Sequence, residues 1–256
     1  MKVAILGCGP AGLLAAHAVA RSGHEPVIFS RKVKSPINGA QFLHRPIQGA
    51  TMDDEKFIVT FIKIGTEQGY KQRIYGLDPD AVSSWGNYKD AEKVQAWPLV
   101  QTYDRLWNNY GHLIVDRVLD PDSLQGIYDE FEVVISSVPR PVLNGGEILG
   151  SYVDVFILPG DSGGWTLRDN TVIYNGIENP ADFRYRASNI QGVSSAEYTV
   201  EVPGSVRVRK PIKWLGSNKH PEILKVGRYG RWDKSQLAHH AYSDTIKWLN
   251  PDLGAM

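Results

Sequence analysis

The sequence contains little of what marks disulfide-bonded, metal-binding or membrane-spanning proteins. Cys8 is the single cysteine among 256 residues, which excludes an intramolecular disulfide and a Cys-rich metal site. This scarcity favours a reducing, cytoplasmic setting. No apolar run reaches the ~18–20 residues of a membrane-spanning helix. The 28 Lys and Arg residues balance the 28 Asp and Glu residues, so net charge favours neither a nucleic-acid nor a membrane partner.

The first thirty residues carry the most specific pattern of the chain. Residues 3–6 (VAIL) predict a short buried strand, and the loop at residues 7–12 (GCGPAG) follows at once. Residues 13–21 are rich in Ala and Leu, which favours a helix, and Gly23 predicts where that helix ends. Residues 27–29 predict a second strand. Together these segments predict a βαβ dinucleotide-binding unit rather than a cleaved signal peptide.

The loop residues have distinct roles in such a unit. Gly7 permits the sharp turn out of the strand, Gly9 lets a pyrophosphate approach the backbone, and Gly12 lets helix and strand pack closely. The helix N-terminus, at Pro10 and Ala11, offers free N–H groups and a positive dipole end to the phosphates. We therefore predict that these five residues bind the pyrophosphate of a nucleotide cofactor.

The end of the second strand leaves the identity of the nucleotide open. An acidic residue usually binds the ribose hydroxyls at this position, but here the position is Ser30, followed by Arg31 and Lys32. A serine followed by two cations is typical of a site that accepts a 2′-phosphate, which would mean NADP. The same residues can also face solvent beside an adenosine that is held differently.

The remaining residues predict further α/β structure. Strands are predicted at residues 57–64, 70–75, 112–118, 133–136, 153–158, 171–174, 198–202 and 206–208, and helices at 97–110, 122–129 and about 234–249. We predict an α/β fold with a Rossmann-type FAD/NAD(P)-binding parallel sheet in a single domain over residues 1–256. Residues 36–96 are predicted as an insertion, and residues 150–215 as a small antiparallel β-rich region on the substrate side.

Several segments resemble one family of FAD-dependent oxidoreductases. Residues 3–29 resemble the N-terminus of flavoproteins with a glutathione-reductase-type Rossmann domain, which include amine oxidases, aromatic-ring monooxygenases and UDP-galactopyranose mutase. Residues 131–139 (FEVVISSVP) resemble the family's returning strand, and residues 171–198 are similar to the mutase substrate sheet. Residues 226–232 (VGRYGRW), followed by a helix with His240-Ala241-Tyr242, resemble the closing flavin-binding segment of the oxidase and mutase branch.

The resemblance implies that this chain is a short, divergent member that binds FAD. In the family, the closing glycine segment faces the flavin and its phosphates, which implies cofactor-binding roles for Gly227, Arg228, Tyr229 and Gly230. The implied fold is a flavin-type Rossmann domain beside a small antiparallel sheet.

Few polar side chains qualify as catalysts. His44 lies where these flavoproteins bring the chain back across the cofactor, and histidine is the commonest proton-transfer residue, so it is the candidate catalyst. Arg184, Arg186 and Arg228 are candidates for binding an anionic substrate or the cofactor phosphates, and the position of Arg228 favours it among the three.

Two other patterns do not predict a site. Residues 160–164 (GDSGG) match the string around a serine-protease nucleophile, but a triad is recognised by geometry, and here the string predicts a turn. His239 and His240 are neighbours that point about 100° apart on a helix, so no metal site is predicted.

Three functions remain open. The first is an FAD-dependent oxidoreductase that acts on an unidentified small molecule. The second is an NADP-dependent reductase, suggested by Ser30, Arg31 and Lys32. The third is a nucleotide-binding protein without turnover, suggested by the short chain and the lack of a clear acid–base pair.

Overall fold

The structure is a computed structural model that describes residues 1–37, 41–75, 83–179 and 181–251. The strands are β1 (Lys2–Leu6), β2 (Glu25–Ser30), β3 (Phe42–Leu43), β4 (Phe57–Gly65), β5 (Lys93–Pro98), β6 (Ile114–Asp116), β7 (Val133–Ser136), β8 (Gly150–Pro159), β9 (Thr171–Gly176), β10 (Arg184–Ile190), β11 (Val193–Tyr198), β12 (Val206–Trp214) and β13 (Leu224–Lys225). The helices are α1 (Pro10–Arg21), α2 (Glu67–Tyr75), α3 (Leu99–Tyr110), α4 (Pro121–Glu130), α5 (Arg140–Leu143), α6 (Gly227–Arg231) and α7 (Ala238–Leu249). Within these ranges, every helix is too short or too polar to cross a membrane.

A five-stranded parallel sheet forms one half of the fold. Its strand order is β13-β7-β1-β2-β6, and every neighbouring pair is parallel. Residues 3–6 of the central strand are fully buried, which explains why they are apolar without interruption. The order reverses at β1, because the chain continues to β2 on one side and returns to β7 on the other. In such sheets, ligands bind at the carboxyl ends of the strands beside this reversal.

Helix α1 connects β1 to β2 and packs against α3 and α7. Its small and apolar residues, from Leu13 to Val19, are buried along with His17. Gly23 follows the helix with a φ of +77°, a conformation that glycine adopts at little cost. The predicted strand, loop, helix and strand of the N-terminal unit are therefore confirmed.

An eight-stranded sheet forms the other half. Its order is β12-β8-β11-β10-β9-β4-β5-β3, and its pairs are antiparallel except for β4 with β9. Because β4 pairs with β5 on one edge and β9 on the other, residues 42–98 and 150–214 contribute to the same sheet. One face carries a buried cluster that includes Val59, Phe61, Val172, Tyr174 and Tyr185. The predicted fold class, a parallel sheet with an antiparallel β-rich region, is confirmed.

The strand predicted at residues 70–75 is wrong, because this stretch belongs to helix α2. Both edges of β4 are already paired, so no edge remains for a hairpin partner. Gly65, the last residue of β4, has a φ of +83°, and a Cβ there would lie 2.3 Å from the carbonyl carbon of Gly176. The chain must turn at this crowded position. The Thr66 Oγ1 then accepts a hydrogen bond from the Gly69 N–H at 3.0 Å, which caps the new helix.

The strand predicted at residues 198–202 is also misplaced, because β11 ends at Tyr198. Pro203 has no N–H for a strand ladder, and the Ser205 N–H closes a turn onto the Val202 carbonyl at 3.0 Å. The last helix begins at Ala238 rather than near residue 234, because the Asp233 carboxylate holds Ser235 in a turn. The strands predicted at 57–64, 133–136, 153–158 and 171–174 and the helix at 122–129 are confirmed.

Removal of the Thr66 cap of α2 should cause a measurable loss of stability. We expect Thr66→Ala to lower the free energy of unfolding by about 1 kcal/mol, because the Gly69 N–H loses its acceptor. Urea unfolding followed by circular dichroism measures this change. Thr166→Ala, at an exposed loop position, is the control and should change stability by less than about 0.5 kcal/mol. Equal effects of the two substitutions would contradict the capping role.

Candidate functional site

The loop between β1 and α1 is built from close backbone contacts around one open position. Gly7 has a φ of +97°, and a Cβ on Gly12 would lie 2.0 Å from the Gly7 carbonyl oxygen. Gly9 is the N-cap residue of α1, and a Cβ there would meet no atom within 4 Å. The structure therefore leaves space above Gly9 at the positive end of the helix, next to Pro10 at the first helical position. A group bound there would contact backbone directly.

The closing glycine segment lies against this loop. Gly227 has a φ of +68°, and a Cβ there would lie 2.6 Å from the Ala11 Cβ. A Cβ on Gly230 would lie 2.6 Å from the Ser136 carbonyl oxygen, at the end of β7. The two glycine segments that the sequence singled out therefore come together from opposite ends of the chain.

The other two residues of the closing segment face the antiparallel sheet. The Tyr229 hydroxyl donates a hydrogen bond to the Arg209 carbonyl at 2.8 Å. The Arg228 guanidinium donates one to the Lys234 carbonyl at 3.2 Å. Helix α6 thus presents glycine backbone to the glycine loop and polar side chains toward β12.

The end of β2 is accompanied by a carboxylate that the sequence analysis missed. Ser30 lies opposite Asp116 in the parallel register of β2 and β6. The Lys32 N–H donates a hydrogen bond to Asp116 Oδ1 at 3.3 Å, while the side chains of Arg31 and Lys32 are exposed. An acidic group is therefore present beside Ser30, supplied by the neighbouring strand. Only the strand register reveals it, since Asp116 is distant from Ser30 in sequence.

Cys8 connects the glycine loop to the segment after β2. Its buried thiol donates to the carbonyls of Arg31, at 3.6 Å, and Val33, at 3.7 Å. The Tyr103 hydroxyl donates to the Cys8 carbonyl at 3.0 Å. These contacts support a structural role for this cysteine.

His44 lies between the antiparallel sheet and the start of α7. Its Nδ1 is 3.0 Å from the Tyr88 hydroxyl, and its ring centroid is 6.0 Å from that of His239. Burial, together with the charge of His240, lowers the pKa of His44 to about 4. Burial also raises the pKa of Tyr88. At neutral pH, a neutral histidine and a protonated tyrosine are therefore in contact, which places a proton acceptor beside a proton donor.

Two of the candidate arginines have internal partners. Arg184 pairs with Asp182 at 2.8 Å, and its guanidinium also contacts the Gly163 carbonyl. Residues 160–164 form the predicted turn after β8, where Gly160 has a φ of +79°. Among the residues that the structure describes, no group of three or more His, Cys, Asp and Glu side chains is placed to hold a metal ion.

Arg186 belongs to a buried charged group on the antiparallel sheet. Glu197, which is 1% exposed, forms ion pairs with Arg186 and Lys210. A bulge between Arg184 and Arg186 also lets the Tyr185 hydroxyl donate to this carboxylate. Burial alone would raise the pKa of Glu197, but the two cations outweigh burial and hold the pKa at about 2. Arg186 is therefore committed to an internal carboxylate.

No protein-family model matches the chain, and no curated protein sequence matches it. Several solved structures are similar in fold. A flavoprotein/dehydrogenase from Cytophaga hutchinsonii is 10% identical, with 98% of this chain and 79% of that chain covered and a TM-score of 0.53. The 2,6-dihydroxypyridine-3-hydroxylase from Arthrobacter nicotinovorans is 11% identical, with coverages of 97% and 82% and a TM-score of 0.53. A variant of HpxO from Klebsiella pneumoniae, complexed with FAD, is 10% identical, with coverages of 97% and 80% and a TM-score of 0.50.

At these identities the similarity shows the fold. It agrees with the α/β architecture predicted from the sequence and covers nearly the whole chain. The narrower resemblance of residues 226–232 to the oxidase and mutase branch stays a prediction.

The buried ion pairs predict a pH-dependent stability. We expect Glu197→Gln to lower the free energy of unfolding by about 3 kcal/mol, because the partly buried Arg186 and Lys210 lose their counter-charge. The stabilisation is present above the unfolded-state pKa of about 4.3. It is lost as pH falls through the folded-state pKa of about 2. Urea unfolding between neutral and acidic pH should therefore show a steeper acid loss in the wild type than in Glu197→Gln.

Glu147→Gln, at an exposed loop position, provides the matched control. It should leave both the stability and its pH dependence unchanged. A Glu197→Gln variant that matches this control would show that the ion pairs do not stabilise the sheet.

Proposed function

We propose that this protein is an FAD-dependent oxidoreductase that acts on a small molecule. The observation that supports the proposal most is the contact of Gly227 with Ala11, which puts a second glycine segment beside the predicted pyrophosphate loop. The fold is also that of structures described as a flavoprotein/dehydrogenase and as a complex with FAD. The one free cysteine, which is buried, is in keeping with a cytoplasmic location.

The residues present fit a dinucleotide at the carboxyl end of β1. The open position at Gly9 and the α1 N-terminus, with Pro10 and Ala11, would hold the pyrophosphate. Gly227 and the rest of α6 would lie near the flavin end. When bound, FAD supplies the exchange of electrons with the substrate, while the protein orients the reactants and controls the electrostatics. In this proposal, residues 1–256 act as a single domain, with residues 36–96 as an insertion and residues 150–215 on the substrate side.

His44 is the proposed proton-transfer residue. Its ring is neutral at neutral pH and can therefore accept a proton. Its Nδ1 lies 3.0 Å from the Tyr88 hydroxyl, which fixes the orientation of the ring. In this proposal, His44 and Tyr88 form the acid–base pair whose absence from the sequence patterns had suggested a protein without turnover.

The position of Asp116 favours FAD over NADP. A carboxylate beside Ser30 accepts hydrogen bonds from ribose hydroxyls but repels a 2′-phosphate. We propose that Asp116 takes the ribose-binding role of the acid usually found at the end of β2. The cations at Arg31 and Lys32 are then exposed side chains next to this carboxylate.

Cofactor binding is tested by the absorbance spectrum of the purified protein and by chromatography of the nucleotide released on heating. We expect flavin absorption and released FAD. Gly9→Val should weaken FAD binding at least about tenfold, because its side chain starts from a Cβ position that meets no protein atom within 4 Å and occupies the open space at the helix N-terminus.

Gly86→Val is the matched control for this variant. Gly86 is exposed, and a Cβ there meets no atom within 4 Å. This variant should bind FAD as the wild type does. A colourless wild-type protein that takes up no added FAD would refute the proposed function.

The role of Asp116 gives a separate prediction. Asp116→Asn should weaken FAD binding roughly tenfold, because the hydrogen bonds to a charged acceptor are lost. Fluorescence titration of the apoprotein with FAD measures the change, and Asp54→Asn at an exposed site is the control. Unchanged FAD affinity in Asp116→Asn, together with stabilisation of the wild type by NADP, would favour the reductase alternative.

A further inference from the structure

Arg228 of α6 donates a hydrogen bond to the Lys234 carbonyl, and its charge acts on both Lys234 and Lys210 of β12. We call Lys210, Arg228 and Lys234 the cation cluster. The Nζ of Lys234 is buried and has no hydrogen-bond partner among the described residues. It lies 4.6 Å from the centroid of the Tyr75 ring. The Nε of Arg228 is likewise buried without a partner in the described part of the chain. The cluster therefore holds two nitrogen atoms that donate to no acceptor among the described residues.

In the described part of the chain, Glu197 is the one carboxylate that pairs with the cation cluster. Glu197 pairs with Lys210 but also with Arg186, so its charge is already shared. Within the described ranges, Arg228 and Lys234 form no ion pair with a carboxylate. Burial, with the charges of Arg228 and Lys71, lowers the pKa of Lys234 to about 8, which leaves it protonated at neutral pH.

Such an arrangement of cations lowers the free energy of unfolding when no ligand is bound. A buried ammonium group without a counter-charge loses its hydration, and the Tyr75 ring offsets only part of this cost for Lys234, so buried charges are normally paired. Two cations held close together add repulsion to this cost. Clusters of this kind are therefore expected where a ligand supplies the missing negative charge.

We propose that the cation cluster binds a carboxylate or phosphate group of the substrate. This rests on the proposed function. Arg228 offers a guanidinium that can bind either group through two hydrogen bonds, and Lys234 offers a point charge beside it. The substrate is thus a small anion, held on the sheet side of α6.

The position of the cluster separates this anion from the cofactor pyrophosphate. Gly227 faces the glycine loop through its backbone, whereas the Arg228 side chain extends toward Lys234 and β12. The same helix therefore has one side toward the cofactor loop and another toward the proposed substrate anion. A cofactor phosphate is the alternative source of the negative charge.

Isothermal titration calorimetry at neutral pH and constant ionic strength tests the proposal, with inorganic phosphate and benzoate as probes. We expect the FAD-loaded protein to bind at least one probe. Lys234→Met and Arg228→Met should each weaken that binding roughly tenfold. Lys219→Met, at an exposed site, should bind as the wild type does. Probe binding to the apoprotein but not to the FAD-loaded protein would assign the cluster to the cofactor and overturn the proposal.

Thermal unfolding without any anion provides a second readout. Lys234→Met should melt at the same or a higher temperature than the wild type, because it removes an uncompensated buried charge. A residue with only a structural role would instead lower the melting temperature when replaced. A lower melting temperature with unchanged probe affinity would overturn the proposal.

FAD content, measured by absorbance in every variant, keeps the two proposals apart. Loss of probe binding with full FAD content supports the cation cluster as an anion site. A wild-type protein that carries FAD but binds neither probe refutes the anion site and leaves the proposed flavin function intact.

Discussion

The close backbone contacts at the carboxyl end of β1 are the constraint on which the site depends. A Cβ on Gly12 would lie 2.0 Å from the Gly7 oxygen, and one on Gly227 would lie 2.6 Å from the Ala11 Cβ. Only glycine permits two helices to approach the strand end so closely. Neighbouring atoms fill the space around Gly12 and Gly227, whereas the space around Gly9 at the α1 N-terminus is open. The shape of the site thus follows from where side chains are absent.

The contact at Gly227 also determines how the two sheets are joined. Since its backbone lies against the glycine loop, the neighbouring side chains of α6 extend to β12 instead. Trp232, the residue that follows α6, has a φ of +55°, an unfavourable conformation for a bulky residue. The indole is 2% exposed and donates a hydrogen bond to the Ser151 carbonyl at 3.1 Å. Burial and this hydrogen bond offset the backbone strain and hold α6 between the parallel and antiparallel sheets.

Sequence patterns correctly predicted the elements that neighbouring residues determine. They did not predict the features that depend on pairing between strands distant in sequence. The glycine loop, α1 and the turn at Gly23 follow from local rules of propensity and backbone conformation. The misplaced strand at residues 70–75 could not be recognised locally, because the pairing of β4 with β9 occupies its intended edge. Asp116 was missed for a similar reason, since its place beside Ser30 depends on the register of β2 and β6.

Although the chain has no net charge, its cations are distributed unevenly between the glycine loop and the region where α6 faces the antiparallel sheet. The residues of the glycine loop include no cation, so a pyrophosphate there would be bound by backbone N–H groups and the helix dipole. Lys210 lies instead on β12, Arg228 on α6, and Lys234 in the segment that follows α6. In the proposed function, the loop binds its phosphates without a lysine or arginine, and Arg228 and Lys234 bind another anion. Among the residues that the structure describes, neither of these two side chains pairs with a carboxylate, and this is the energetic reason to propose a substrate that carries negative charge.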